Sequence, residues 1–301
     1  MAVGRGLSLR IVERPSLSLK SEALAALCED LRCVSRAVLP DGDLGYGVLG
    51  GDPERLAHSV VTIVYDNRTK APVAFNALAL LEVELAGVRT EVLHLGLVMV
   101  DPAVRGRGLS ELLYGLTCVL LFLRRQCRPL RLSNVTQVPA VFGMVAETFD
   151  QVFPAPARSR DPSFAHRTLA RQIMARHRHV FGVGPEARFD EDRSVILESY
   201  TGGSDDLKKT VAAAAKHRIA AYNDMCALEL DYDRGDDFLQ IGQINMEAAA
   251  RYLSRVVGPR SGLWLVGQIG LFAIRSAVLP VTHWFADDQP LNDLRPWRDA
   301  R

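Results

Sequence analysis

Neither sign of charge is in excess in this sequence. Over 301 residues, 36 lysines and arginines stand against 35 aspartates and glutamates, a formal net charge of +1. No global field draws such a chain to nucleic acid or an anionic membrane, so any charged ligand is met locally. No Cys-x-x-Cys pair occurs among Cys28, Cys33, Cys118, Cys127 and Cys226, and most lie in apolar, helix-like contexts, which points to buried reduced thiols. The phosphate loop GxxxxGK[ST] is absent, and no GxGxxG follows a strand, which removes support for nucleotide hydrolases and dinucleotide dehydrogenases. The longest apolar run, Gly262 to Val281, is interrupted by Gln268 and Arg275 and ends near Pro280. An arginine at mid-membrane costs about 2.5–3.5 kcal/mol, so a buried helix is expected there and integral membrane insertion is not. Met1 to Leu9 carries one arginine and no apolar core of signal-peptide length, so no export signal is expected and the chain is read as cytoplasmic.

What is present is ordinary globular material, 48% hydrophobic, enough for one large or two modest cores. Leu7 to Val12 reads as a strand, and the segment from Ser18 as an amphipathic helix with Ala23, Leu24, Leu27 and Leu31 at helical spacing. A glycine-rich acidic loop follows. Strand-like runs then begin at Ser59, Ala71 and Thr90, separated by the turns DNRTKAP and AGVR, the pattern of an antiparallel meander. A helix over about 109–125, a strand from Leu130 and a helix opened by Pro139 complete a β-α-β-β-β-α-β-α order. Three prolines in Phe153 to Ser163 suggest a boundary, placed at residue 155, or a major crossover. Beyond it a basic helix, a strand at DRSVILES, a long helix over 205–224 and a helix at NMEAAARYLSRVV are expected.

The stretch VMVDPAVRGRGLSELLYGL, 98–116, carries the chemistry. A strand runs into two arginines and two glycines and then into an apolar helix. A helix N-terminus leaves its first N–H groups without intrahelical partners, so a glycine-cleared turn at that point cradles an anion. Gly106 and Gly108 clear the backbone, and Arg105 and Arg107 add formal charge. Several converging amides suit a diphosphate better than one carboxylate.

The run Arg105-Gly106-Arg107-Gly108-Leu109-Ser110 resembles the pyrophosphate loop of the GNAT (N-acetyltransferase) acyltransferase superfamily, whose pattern is Q/R-x-x-G-x-G/A. Arg105 and Gly108 fill the first two fixed positions, and Ser110 stands where glycine or alanine is usual. LVMVDP also resembles the family's fourth strand. The resemblance spans roughly residues 5–155. It implies an α/β fold with a mixed, mostly antiparallel central sheet flanked by helices, here followed by a helix-rich C-terminal half. Residues 1–155 would be the acyl-CoA-binding catalytic domain, and 156–301 an α/β extension or a degenerate second copy. Backbone groups of Val98 and Val100 would hold the acyl-pantetheine arm where two strands splay, and Arg105, Gly106, Arg107, Gly108, Leu109 and Ser110 the pyrophosphate of acetyl-CoA or a longer acyl-CoA.

An amine that attacks a thioester must first lose a proton, so a base is wanted. His94 interrupts an apolar run where several relatives carry a glutamate. Strand alternation puts it on one face with Gly96, Val98 and Val100, and its ordinary pKa near 6.5 suits the task. Glu91 is the fallback base, on the opposite face unless a bulge intervenes. Relatives often protonate the leaving thiolate with a tyrosine in the helix after the fifth strand. PAVFGMVAETFD offers Phe142, Met144 and Phe149 instead, while Ser133, Asn134 and Thr136 at the end of the preceding strand either cap it or supply hydroxyl or amide contacts to the cofactor arm or the substrate, Asn134 standing as the third catalytic candidate.

Other signals are weaker. Arg158, Arg160, Arg167, Arg171, Arg176 and Arg178 stand against Asp161 alone, by default a solvated basic helix and otherwise a surface able to meet an acidic acyl carrier protein, the adenosine phosphate of coenzyme A or nucleic acid. Aromatic interleaving is sparse, so nucleic acid is not expected. DYDRGDD departs from a calcium loop because Gly235 takes the third acidic position, and His166, His177 and His179 lack ligand partners at useful spacing, so no metal is expected. The reading is an N-acyltransferase acting on an amine of a small molecule or peptide. The apolar weight of LLYGLTCVLLFL and GLWLVGQIGLFAI suggests an acyl group longer than acetyl. The alternative is a non-catalytic acyl-CoA or acyl-carrier binding module.

Overall fold

The structure is a computed structural model that describes residues 6–39, 47–156, 161–256 and Gly270. Two compact units divide at residue 246; in the second, residues 247–301, the described element is helix α8 (Met246–Val256), which begins at the boundary. The run Gly262 to Val281 lies outside the described residues apart from Gly270. No described helix is long and apolar enough to cross a membrane.

The first unit is built on one ten-stranded sheet. Its elements are β1 (Leu7–Glu13), α1 (Pro15–Ser18), α2 (Ser21–Val38), α3 (Pro53–Ala57), β2 (Ser59–Asp66), β3 (Pro72–Leu85), β4 (Val88–Leu95), β5 (Val98–Val100), α4 (Leu109–Arg124), β6 (Leu130–Thr136), α5 (Pro139–Thr148), β7 (Asp150–Phe153), α6 (Phe164–Arg176), β8 (Arg188–Asp190), β9 (Val195–Leu197), α7 (Ala220–Glu229) and β10 (Asp237–Ile244). The strand order is β1-β2-β3-β4-β6-β10-β9-β8, with β5 beside β3 and β7 beside β10. Every pairing is antiparallel except β4 with β6. The expected mixed, mostly antiparallel sheet flanked by helices is therefore present.

Local chemistry explains the connections. β3 and β4 join through Ala86–Gly87, both at positive φ, a two-residue turn whose twist matches the strands it links. Helices α2 and α6 cover one face of the sheet, α2 through Leu27, Leu31 and Val34 and α6 through Leu169, Ile173 and Met174. Helix α4 covers the other face, where Leu109, Leu113 and Leu116 pack on Leu7, Leu9, Val64 and Ala74. The apolar weight of α4 is thus core packing, and ten of its sixteen residues are buried.

Three expectations are corrected. The break at residue 155 is a crossover and no boundary, because β10 pairs with the whole of β6 and β8 and β9 extend the same sheet. The described part of 161–246 extends the first half's sheet and is no second copy of it. The long helix over 205–224 is replaced by α7 alone. His217 and Asn223 clamp its start, with Asn223 Oδ1 accepting from His217 N–H at 2.8 Å and Nδ2 donating to the His217 carbonyl at 2.9 Å, while the alanine run before it crosses α5 (Ala140 N–H to Ala215 O, 3.0 Å). The single strand expected from Thr90 is two, β4 and β5, interrupted at Gly96–Leu97.

Candidate active site

That interruption makes the site. Both β4 and β5 pair with β3, but the register slips by one residue between them: His94 lies opposite Ala79, and Val98 opposite Asn76. A bulge at Gly96 absorbs the extra residue. Glycine is required there because a Cβ would lie 2.5 Å from the Ala77 carbonyl oxygen. Ala77 N–H donates to Leu97 O at 2.9 Å, and the Tyr114 hydroxyl of α4 donates to Gly96 O at 2.6 Å, so strand and helix hold the bulge from both sides.

The bulge separates two edges. β6 follows β4 as far as Leu95 opposite Asn134, then continues beside β10, whereas β5 pairs only with β3 among the described residues. Leu97 and Asp101 direct backbone groups at β3 (Ala77 N–H to Leu97 O; Asp101 N–H to Val73 O, 2.9 Å). Alternation then turns the backbone groups of Val98 and Val100 toward the diverging β6 edge. Such an edge can pair with the amides of an extended ligand. Arg105 Nε closes the end of that edge by donating to Val100 O at 3.3 Å.

Five residues on, the chain turns into α4. Gly106 and Gly108 adopt φ of +77° and +72°, a region that favours glycine, and Gly108 caps the helix without any side-chain hydrogen bond. Arg105, Gly106, Arg107, Gly108 and Ser110 are exposed and Leu109 is buried, so a sixteen-residue helix begins on an exposed turn that carries two arginines. Glu111 is the one acidic group in that turn.

On the α2/α6 face, at the ends of β4 and β6, lies a cavity of about 760 Å³. His94, Gly96 and Val98 line it from the sheet, and His177, Tyr200 and Asp237 from later segments. A volume of that order suits a small-molecule ligand.

The structure revises the candidate bases. His94 is buried and lines the cavity, with Nδ1 3.0 Å from the Ser133 hydroxyl and its ring stacked on Phe181 at 4.8 Å. Burial, reinforced by nearby His177, pushes its imidazole down to about 3, so the ring stays neutral near pH 7 and is too weak a base to keep a proton. It positions the β4–β6 seam. The bulge also breaks the expected common face: Val98 and Val100 pack toward α4 with Ala74 and Leu113, opposite His94. Glu91 is turned away from the cavity and held by Arg14 at 2.9 Å and by Arg125. Asn134 contributes to the cavity wall, but its Nδ2 donates to Gln240 Oε1 at 3.0 Å, and Gln240 in turn donates to the Phe142 and Pro154 carbonyls, a network that ties β6 and β10 to α5.

The sequence reading missed Asp237 and Tyr200. Asp237 opens β10 and is 3% exposed, and its Oδ1 accepts from the Tyr200 hydroxyl at 3.2 Å. Burial, with the adjacent Asp236 charge, drives its carboxyl up to about 7 against the opposing hydrogen bonds from Ser199 and Tyr200. The signal was present in DYDRGDD, where the fold divides the two aspartates: Asp236 takes Arg234 at 2.6 Å, and Asp237 faces the cavity. The basic run is largely compensated: Arg167 pairs with Asp192 at 3.0 Å, Arg171 with Glu191 at 2.7 Å, and Arg178 donates to main-chain carbonyls. Arg158 and Arg160 lie outside the described residues.

No family model and no curated protein matches the chain. Among solved structures it is similar to the aminoglycoside N-acetyltransferase AAC(6')-Iy in complex with CoA (17% identity, 42% of this chain and 77% of that one, TM-score 0.29). It is also similar to an acetyltransferase of Trypanosoma brucei (24% identity, 40% and 78%, TM-score 0.28) and to the ribosomal-protein-S5-alanine acetyltransferase of Vibrio fischeri (10% identity, 48% and 79%, TM-score 0.33). Each of these three structures is described as an acetyltransferase, the first in complex with CoA.

Proposed function

We propose that this chain is a GNAT-type acyl-CoA-dependent N-acyltransferase. It would move an acetyl or longer acyl group from a CoA thioester to an amine of a small molecule or peptide. One observation carries the reading: a strand edge freed by the Gly96 bulge leads directly into an exposed, arginine-flanked helix N-terminus, and a cavity opens beside the same bulge. In this arrangement the pyrophosphate sits on the amides that follow Arg105, and the pantetheine arm runs along Val98 and Val100. The thioester then reaches the cavity near Gly96. The acceptor amine occupies the cavity and attacks the thioester carbonyl directly; the C–N bond forms as the C–S bond breaks. The free cysteines Cys28, Cys118 and Cys226, all buried, accord with a reducing, cytoplasmic setting.

The test follows free thiol while the protein is mixed with acetyl- through palmitoyl-CoA and a panel of primary amines. Amine-dependent thiol release well above the uncatalysed rate is expected, and the preferred chain length reads out the acyl specificity. CoA binding without amine-dependent release across the panel would instead identify a binding module.

A further inference from the structure

A carboxylate buried at the wall of a cavity is costly unless a cation or a proton completes it. Asp237 is such a group. Among the described residues no lysine or arginine forms an ion pair with it, although its neighbour Asp236 has Arg234 at 2.6 Å. The groups around it are the hydroxyls of Ser199 and Tyr200 and Asp236 with its arginine; elsewhere on the cavity wall stand Gln137, the neutral His94, His58, His177 and His179, the cations Arg55 and Arg176, and the carboxylates Asp52, Glu54 and Glu82. Lys208 is directed elsewhere, its Nζ donating to Asp233 O at 2.6 Å.

The Tyr200 hydroxyl shows how the site is completed. The Gln137 amide matches the Lys209 backbone when Oε1 accepts from Lys209 N–H (2.9 Å) and Nε2 donates to Lys209 O (3.1 Å), and in that orientation Oε1 also accepts from Tyr200. A phenol has one proton to give. With that proton on Gln137, the 3.2 Å contact between Tyr200 and Asp237 is a hydrogen bond only when Asp237 carries a proton and donates it. With Asp237 ionised, Tyr200 swings its proton to the carboxylate. The hydroxyl therefore serves both protonation states of Asp237 without moving a heavy atom.

Building on the transferase reading, we propose that Asp237 is the catalytic base, binding the acceptor as its ammonium and taking a proton from it, and that Tyr200 is the positioning residue for that transfer. The acceptor arrives as R–NH3+ and gives one proton to the Asp237 carboxylate. The nitrogen lone pair then attacks the thioester carbonyl, the C–S electron pair leaves with sulfur, and the second nitrogen proton ends on the CoA thiolate. Asp237 returns its proton to solvent, so the products are amide, CoA thiol and one H+. A carboxyl poised at about 7 matches the operating pH of this exchange. The acceptor class that follows is a primary amine protonated in water, since a neutral alcohol or aniline would not complete the buried charge.

The experiment measures thiol release from pH 5.5 to 9 for wild type, Asp237→Asn and Tyr200→Phe, with CoA affinity measured in parallel. Asp237→Asn is expected to bind CoA as wild type does, lose 100-fold or more in kcat, and lose the acidic limb of the profile. Tyr200→Phe is expected to keep the limb but displace it, with a smaller loss in kcat. NMR titration of the amine into the CoA complex adds a readout without turnover, and Asp237→Asn should weaken that binding at least tenfold. Wild-type kcat with an unchanged acidic limb in Asp237→Asn overturns the assignment while leaving the transferase intact. A wild type that binds CoA but releases thiol with no amine overturns the transferase reading and this assignment together.

Discussion

Gly108→Val is expected to weaken CoA binding by about 100-fold while leaving the thermal midpoint within a few degrees of wild type. The residue sits at φ +72° in open space, so valine meets no neighbour and acts through the backbone. A β-branched residue in the left-handed region costs roughly 1–3 kcal/mol. Either the loop bears that strain or it relaxes and turns its amides away from the ligand. Both outcomes lower affinity, and about 2.7 kcal/mol corresponds to the 100-fold figure. Gly87→Val is the control, because Gly87 has φ +76° in the β3–β4 turn, also with no neighbour within 4 Å. It imposes comparable strain away from the loop and should leave CoA affinity unchanged. Equal affinity in Gly108→Val and wild type, measured by calorimetry, would remove the loop from the account.

The second large effect concerns stability. In an unfolded chain His94 titrates near 6.5 and Asp237 near 3.8, whereas burial moves them to about 3 and about 7 in the fold. From about pH 4 to 6.5 the unfolded state holds an extra proton at His94 and the folded state an extra one at Asp237. Their contributions to the pH slope cancel, so the pair leaves wild-type stability nearly flat there. Asp237→Asn removes one side of that balance. Its stability should rise with pH across this window by about 1.4 kcal/mol per unit and exceed wild type at pH 8, where the native carboxylate is held ionised at a cost. His94→Gln removes the other side, so its stability should fall as pH rises from 4 toward 7, with a similar slope. Urea midpoints at pH 4.5, 6 and 8 measure this, and parallel curves for all three proteins would show that neither group is buried as described.

These two sites differ in how much of them the sequence exposed. The glycine turn into α4 was legible because its information is local: two glycines, two arginines and the start of an apolar helix within a few residues. The strands around it were legible for the same reason. The bulge was not, since Leu95-Gly96-Leu97 reads as continuing alternation and only the approach of Ala77 O shows why glycine is needed. That single slip also placed His94 on the wrong face relative to Val98 and Val100. β10 escaped notice because all eight of its residues are buried and its glycine and two glutamines, DFLQIGQI, break any apolar period. With β10 unseen, the boundary at 155 looked natural and Asp237 looked like part of an acidic turn. His94, Glu91 and Asn134 follow from residue type and strand position, but what each side chain can do is set by burial and by partners that arrive from residues 133, 177, 14, 125 and 240. Long-range pairing of that kind leaves no local trace.

The central claim is that CoA lies along the β5 edge with its diphosphate on the start of α4. Amide hydrogen exchange with and without saturating CoA tests it most directly. The account predicts slowed exchange at Val98, Val100 and residues 106–111, with the β3–β4 turn at 86–87 unaffected. Protection confined to other parts of the chain, or none at all under conditions where calorimetry reports binding, would contradict it.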